Sequence, residues 1–288
     1  MLTTCCFQLL WGKFYTFYPS KYVFLGLITL FEVGSAICGA APNSMALILG
    51  RAIAGMGSAG ILSGAIVLMV SAVPLPKRPL YDGFFSAVLG TSSVVGPLLG
   101  GAFTSNVSWR WCFYINLPIG GLAMLVILIA LKPTPQVAPG LTIRQQLAKL
   151  DLLGELFLFP CLICLLLALQ WGGSKYAWND WREGFLFVLF GLCLIAFIVT
   201  EIFTQETATI KIRVIKNRSV ISAMWYMFCL ASTMLTLIYY LPLWLQAIKG
   251  KSAINSGIDT LPLVVPLVVK VPFPVNSWVV SDTTRPSL

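Results

Sequence analysis

From Tyr22 onward the sequence is laid out in apolar runs, each about as long as a bilayer is thick. A helix needs about 20 mostly apolar residues to cross the hydrocarbon core. Seven stretches supply them: Tyr22–Ala41, Met45–Val73, Tyr81–Thr104, Trp109–Leu131, Leu152–Trp171, Gly184–Phe203 and Ser219–Ile248. Met1–Phe14 is too short alone and reads as the latter half of a span, and Ser256 to about Val269 reads as one cut short. No window shows the period-two alternation of a transmembrane β-barrel. The expected fold is all-α: a polytopic transmembrane helix bundle with seven full spans and two partial ones.

Composition agrees. Only 10% of the 288 residues are charged and 58% are hydrophobic, against about 25% charged in soluble domains. The mean hydropathy of +0.88 points the same way. Expected location is an integral multi-pass membrane protein, in the plasma membrane first and a vacuolar or other internal membrane second. The net charge of +9 needs no nucleic acid to explain it, because cytoplasmic loops of membrane proteins are rich in Lys and Arg. Alternate loops hold Lys13 and Lys21; Lys77 and Arg78; Lys132, Arg144 and Lys149; Lys211, Arg213, Lys216 and Arg218. The opposite loops hold only Arg110, Lys175, Arg182, Lys249 and Lys251, so the first set is expected on the cytoplasmic side. The sequon Asn106-Val107-Ser108 then faces outward, too close to the membrane to serve as a glycosylation site.

Histidine is absent, which removes the commonest general base and metal ligand and every Ser-His or Cys-His pair. The eight cysteines lie mostly in apolar runs, and Cys161 and Cys164 are flanked by Leu162, Ile163 and Leu165, a setting that leaves thiols inert. The chain is not expected to be an enzyme, nor to hold a cofactor or a metal.

The opening MLTTCCFQLLWGK lacks the basic n-region of a secretory signal. Residues 1–131 read as an N-terminal helix bundle lacking its first span. Residues 132–205 read as a linker carrying two further spans. Within it, Pro133–Gly140 is proline-rich, and Ile143, Leu147 and Leu150 share a face suited to a helix on the membrane surface. Residues 206–269 read as the start of a second bundle, and 270–288 as a tail without helical period.

Charges inside spans are costly and point to function by default. Glu32 lies in mid-span, and Arg51 about two turns in from the outer end of its span. A membrane acid and base could relay protons or hold a charged ligand, though spacing alone does not bring these two together. Glu155 begins its span and Asp259 follows Ser256-Gly257, so both read as interfacial charges. Small residues form two stripes: Gly57, Gly60 and Gly64 on one helical face, and Ser92, Gly96 and Gly100 at four-residue spacing around Pro97. Such stripes let membrane helices approach closely.

These segments also carry a resemblance. GTSSVVGPLLGG (Gly90–Gly101) resembles the antiporter motif gxxxGPxxGG, matching at Gly96, Pro97, Gly100 and Gly101, with Ser92 in place of the first glycine. LILGRAIAGMGSAG resembles lxxxRxxqGxgaa, with Arg51 as its arginine and Ala54 where glutamine is usual. GKFYTFYPSK resembles the cytoplasmic loop motif GxLaDrxGrkr at Gly12 and Lys21, with Thr16 replacing the acidic residue and Pro19 the second glycine. Together with SWRWCFYINLPIGG and LALQWGGSKYAW, they make the chain similar to the major facilitator superfamily, in its fourteen-span drug:proton antiporter branch known for fungal multidrug and toxin efflux.

That resemblance implies proton-coupled export of small organic molecules across a lipid bilayer. It gives Arg51 a part in proton transfer; Glu32 is a second proton-coupling candidate from its mid-span charge alone. The resemblance makes the helix around Gly96, Pro97, Gly100 and Gly101 a tight domain contact. Measured against the family, the chain looks truncated at both ends, so transport by this polypeptide alone is not expected. Two other readings stay open: a non-transporting membrane sensor or partner, and an uptake permease of the same superfamily.

Overall fold

The structure, a computed structural model, describes residues 2–131, 151–204 and 216–250, together with Asp259. The expected surface helix after Gly140, the short final span and the tail lie outside the described residues. So do Lys132, Arg144, Lys149, Lys211, Arg213 and Lys251.

The described residues form helices joined by short turns: α1 (Leu2–Phe17), α2 (Ser20–Ala40), α3 (Ser44–Ala72), α4 (Arg78–Asn106), α5 (Trp111–Tyr114), α6 (Asn116–Ala130), α7 (Leu152–Trp171), α8 (Trp181–Phe203) and α9 (Arg218–Ala247). A single 3-10 turn, Leu75–Lys77, joins α3 to α4. Among the described residues the only β feature is a lone bridge between Gly172 and Tyr176.

Six segments are long and apolar enough to cross a membrane: α2, α3, α5 with α6, α7, α8 and α9. This makes the chain an all-α, multi-pass membrane protein. The seventh expected span falls on α4, which has the length to cross a bilayer at 29 residues. Its backbone runs on helically past Pro97. In lipid, neighbouring groups can re-satisfy a carbonyl that proline leaves without its donor.

The described residues divide into two compact units. One comprises residues up to Leu68 with Phe113 to Tyr226; the other comprises Met69–Cys112 with residues from Met227. The first unit has its core at Tyr15, Phe24, Leu27 and Ile28, with Trp11, Ile61, Met124 and Ile127 packed around them. Helices α7 and α8 form an antiparallel hairpin, and α1 lies against α7, where Phe7 and Phe159 rings sit 4.9 Å apart. Cys161 and Cys164 are buried in α7.

In the second unit, Arg78 turns back on the end of α3. Its Nη2 donates to the Val70 carbonyl at 2.8 Å and its Nε to Val73 at 3.2 Å. A cation there satisfies carbonyls that a helix C-terminus leaves unpaired, and it meets the negative end of the helix dipole. Outward-facing large apolar side chains are numerous, among them Leu192, Ile195 and Phe203 on α8 and Trp225, Phe228 and Tyr239 on α9. Lipid tails are a suitable environment for such faces; water is not.

Candidate functional site

The small-residue face of α3 is a helix seam. A Cβ on Gly57 would lie 2.6 Å from the Phe31 backbone nitrogen of α2, and one on Gly60 would strike the Leu27 side chain. On Gly64 it would meet the Tyr15 and Phe24 rings. Two further glycines extend the seam. Gly50 faces Cys38, and Gly34 of α2 faces the backbone of Ala54. Side chains of α1 bond to carbonyls along the same stretch: Thr4 Oγ1 to Gly55 at 3.3 Å, Trp11 Nε1 to Met56 at 2.9 Å and Tyr15 Oη to Gly60 at 3.0 Å. Missing side chains thus serve twice, letting α2 approach and leaving carbonyls open to α1.

Glu32 lies on the other side of α2, against α6. It is 7% exposed, and its Oε2 is buried without a hydrogen-bond partner. Its carboxyl fills the space over Gly120, where any Cβ would collide with it. One turn away, the Asn116 amide donates from Nδ2 to Ser35 Oγ at 3.3 Å, and Ser35 is 1% exposed. Glu32, Ser35 and Asn116 form a polar notch in the α2–α6 seam. A buried carboxyl in such a place has reason to hold a proton or meet a cationic ligand.

Arg51 is elsewhere. It is exposed on α3, with its guanidinium 6.0 Å from the centre of the Phe113 ring. Among the described residues no ion pair joins it to Glu32. The seam shows why: Gly50 sits level with Cys38, whereas Gly57 sits level with Phe31. Arg51 and Glu32 are therefore offset by about five residues along antiparallel helices, or about 7.5 Å at the usual rise. Any relay between them needs a bridging group or a rearrangement.

Helix α4 carries Ser92, Gly96, Pro97, Gly100 and Gly101 in the second unit. Added Cβ atoms at Gly96, Gly100 and Gly101 would meet nothing within 4 Å. The carbonyl of Gly100 accepts from Thr104 Oγ1 at 2.6 Å, and Cys112 Sγ lies 3.9 Å from it.

The segment resembling a loop motif is mostly helical. Gly12 lies inside α1 and Lys21 inside α2, so the connection shrinks to Tyr18 and Pro19. Pro19, extended at φ −57° and ψ 122°, separates the two helices. Lys21 is buried, and its ammonium donates to the carbonyls of Leu128 at 2.8 Å and Leu131 at 2.6 Å, at the end of α6. Sequence reading assigned it only to a loop. Ser35, Asn116 and Gly120 were also missed, since an isolated serine, asparagine or glycine in an apolar run carries no signal by itself.

Glu155 stands in the first turn of its helix, at the end of the span. It is 4% exposed, one turn into α7 and beneath the N-cap Asp151, whose Oδ1 accepts from the Gly154 amide at 3.1 Å. Asp259 is exposed. Among the described residues, no group of three or more Cys, Asp or Glu side chains is arranged to hold a metal ion.

A multi-pass helical bundle with glycine-lined seams and a buried polar notch is an architecture that membrane carriers use. Residues 1–285 match the Major Facilitator Superfamily, and the chain belongs to that superfamily. It is 54% identical over 270 residues to the MFS-type efflux pump MFS1 of Arthroderma benhamiae, and equally to that of Trichophyton rubrum. Those matches cover 93% of this chain and 50% of each relative. It is 50% identical over 266 residues to the efflux pump aflT of Aspergillus parasiticus, covering 92% of this chain and 52% of the relative. The chain thus spans about half the length of the curated relatives it matches.

Proposed function

We propose that the chain contributes to proton-coupled efflux of small, mostly amphipathic organic molecules, in the plasma membrane. Residues 1–131 supply the first helix bundle, 132–205 a linker with two added spans, and 206–269 the beginning of a second bundle. In this reading Glu32 takes up and releases the coupling proton, and Arg51 biases that step electrostatically from α3. The observation that supports it is the buried Glu32 carboxyl over Gly120, with one oxygen lacking any hydrogen-bond partner, in a chain about half identical to named efflux pumps.

Alternating access needs two halves enclosing a central site. In this reading export needs a chain as long as the relatives, and these 288 residues are not expected to carry it out alone. The test is a dye-efflux assay in proteoliposomes with an imposed proton gradient. Full-length protein should export, and its Glu32→Gln and Arg51→Ala variants should insert but lose gradient-driven export. Export that keeps its gradient dependence in both variants would sink the reading, as would export by the 288-residue chain alone.

A further inference from the structure

Helices α7 and α8 are both long and apolar enough to cross the membrane, and only residues 172–180 join them. So short a connection holds the turn at the membrane surface, at the depth of the lipid headgroups. Its backbone closes on the end of α7. The Trp171 carbonyl accepts from the amides of Ser174, Lys175 and Tyr176 at 3.1, 2.9 and 3.2 Å, and the Gly173 amide donates to the Tyr176 carbonyl at 2.9 Å. Gly173 has φ +73°, and the Trp178 ring lies where a side chain on Gly172 or Gly173 would go.

This turn carries two cations among four aromatic rings. Lys175 Nζ stands 5.1 Å from the centre of the Trp171 ring and 5.5 Å from that of Tyr176. The Arg182 guanidinium stands 4.9 Å from the Tyr176 ring and 5.7 Å from the Trp181 ring. Tyr176 therefore serves both cations, and it meets Trp171 edge-on at 5.9 Å. A ring face orients a cation without neutralising it, because the ring has no net charge and the N–H donors stay available. Among the described residues neither cation is paired with a carboxylate. The nearby acids are engaged or hidden: Asp180 Oδ1 accepts from the Arg182 amide at 3.1 Å, and Glu183 is 0% exposed.

The surface left on view is Lys175 and Arg182, both exposed, beside the indoles of Trp178 and Trp181, 59% and 74% exposed. Water suits the cations and hydrocarbon suits the indoles, so a ligand for this patch must offer an anion joined to an apolar body. We propose that the α7–α8 turn binds the headgroup of an anionic phospholipid, with Lys175 and Arg182 donating to its phosphate and Trp178 and Trp181 lying against its acyl chains. A choline headgroup is disfavoured, because its own ammonium faces two fixed cations. This inference does not rest on the proposed efflux activity.

The test is native mass spectrometry of the purified 288-residue chain, released at low ionic strength from nanodiscs of equal parts phosphatidylglycerol and phosphatidylcholine. The chain should retain phosphatidylglycerol in preference by about tenfold or more, the scale of one hydrogen bond to a charged group. Lys175→Gln combined with Arg182→Gln should abolish the preference. Lys175→Arg combined with Arg182→Lys should keep it, as should Lys77→Gln, which removes an exposed cation ahead of α4. Salt at ~1 M, where screening acts within ~3 Å, should weaken the preference in the unsubstituted chain. Excess inorganic phosphate should not displace the lipid. Equal retention of the two lipids, a preference that survives the double glutamine variant or high salt, or an equal loss in Lys77→Gln would each overturn the proposal. Displacement by inorganic phosphate would also overturn it, by showing a site for the free anion.

Discussion

The Lys21 ammonium on α2 lies 2.6 Å from the carbonyl of Leu131, which closes α6. A second bond, to Leu128, makes the lysine a cap on a helix more than 100 residues away in the chain. One side chain thus fixes the end of α6 against the start of α2, in the same seam that holds Glu32 over Gly120. The expected effect of removing it follows from the two carbonyls it serves.

Replacing Lys21 with Met should destabilise the chain by about 1.5–3 kcal/mol, the range for a hydrogen bond to a charged group. Lys21→Arg should recover part of the loss, because the guanidinium can still donate to both carbonyls. Thermal unfolding in nanodiscs, followed by circular dichroism, measures both. A Met variant as stable as the parent would show the cap to be dispensable.

Gly57 meets the α2 backbone, which cannot swing away as a side-chain tip can. Gly57→Val should therefore cost about 1–3 kcal/mol of stability, the range for overpacking. Gly60→Ala should cost less, since its neighbour is the end of the Leu27 side chain. The order of the two unfolding temperatures is the check.

Gly120→Ala should displace the Glu32 carboxyl, because the added methyl occupies its place. Truncating Glu32 should relieve this: Gly120→Ala combined with Glu32→Ala should be less destabilised than the sum of the two single changes. A double-mutant cycle on unfolding midpoints gives a coupling of about 0.5–3 kcal/mol if the two positions share the space. Strict additivity would show that they do not.

For α4 the two properties should separate. Gly96 and Gly100 have open space where a side chain would go, so Gly96→Leu and Gly100→Leu should leave the unfolding temperature of the 288-residue chain nearly unchanged. In a full-length transporter the same substitutions should reduce export, if the stripe forms a moving contact with the other half. Undiminished export would mean that the stripe faces lipid.

Much of this was legible in the chain because lipid imposes a local rule. An apolar run of adequate length forms a helix wherever it occurs, so the spans from Tyr22 to Ile248 follow from hydropathy. Glu32 and Arg51 stood out because a charge in such a run is costly whatever surrounds it. The resemblance in the Arg51 and Pro97 segments was likewise carried by residues close together in the sequence, and it named the superfamily that residues 1–285 match.

Partners, by contrast, were decided only when the helices came together. Nothing within five residues of Lys21 points to Leu131, nor near Lys13 to Asp151 and Glu201. Glu155 read as an interfacial charge because its own neighbours in sequence stop at the edge of a span; α1 and α8 are what bury it. Hydropathy sums over neighbours along the chain, so the sequence alone determines which segments enter the membrane. Hydrogen bonds and charge pairs depend on distances of a few ångströms between segments far apart in that chain, and only the tertiary packing sets those.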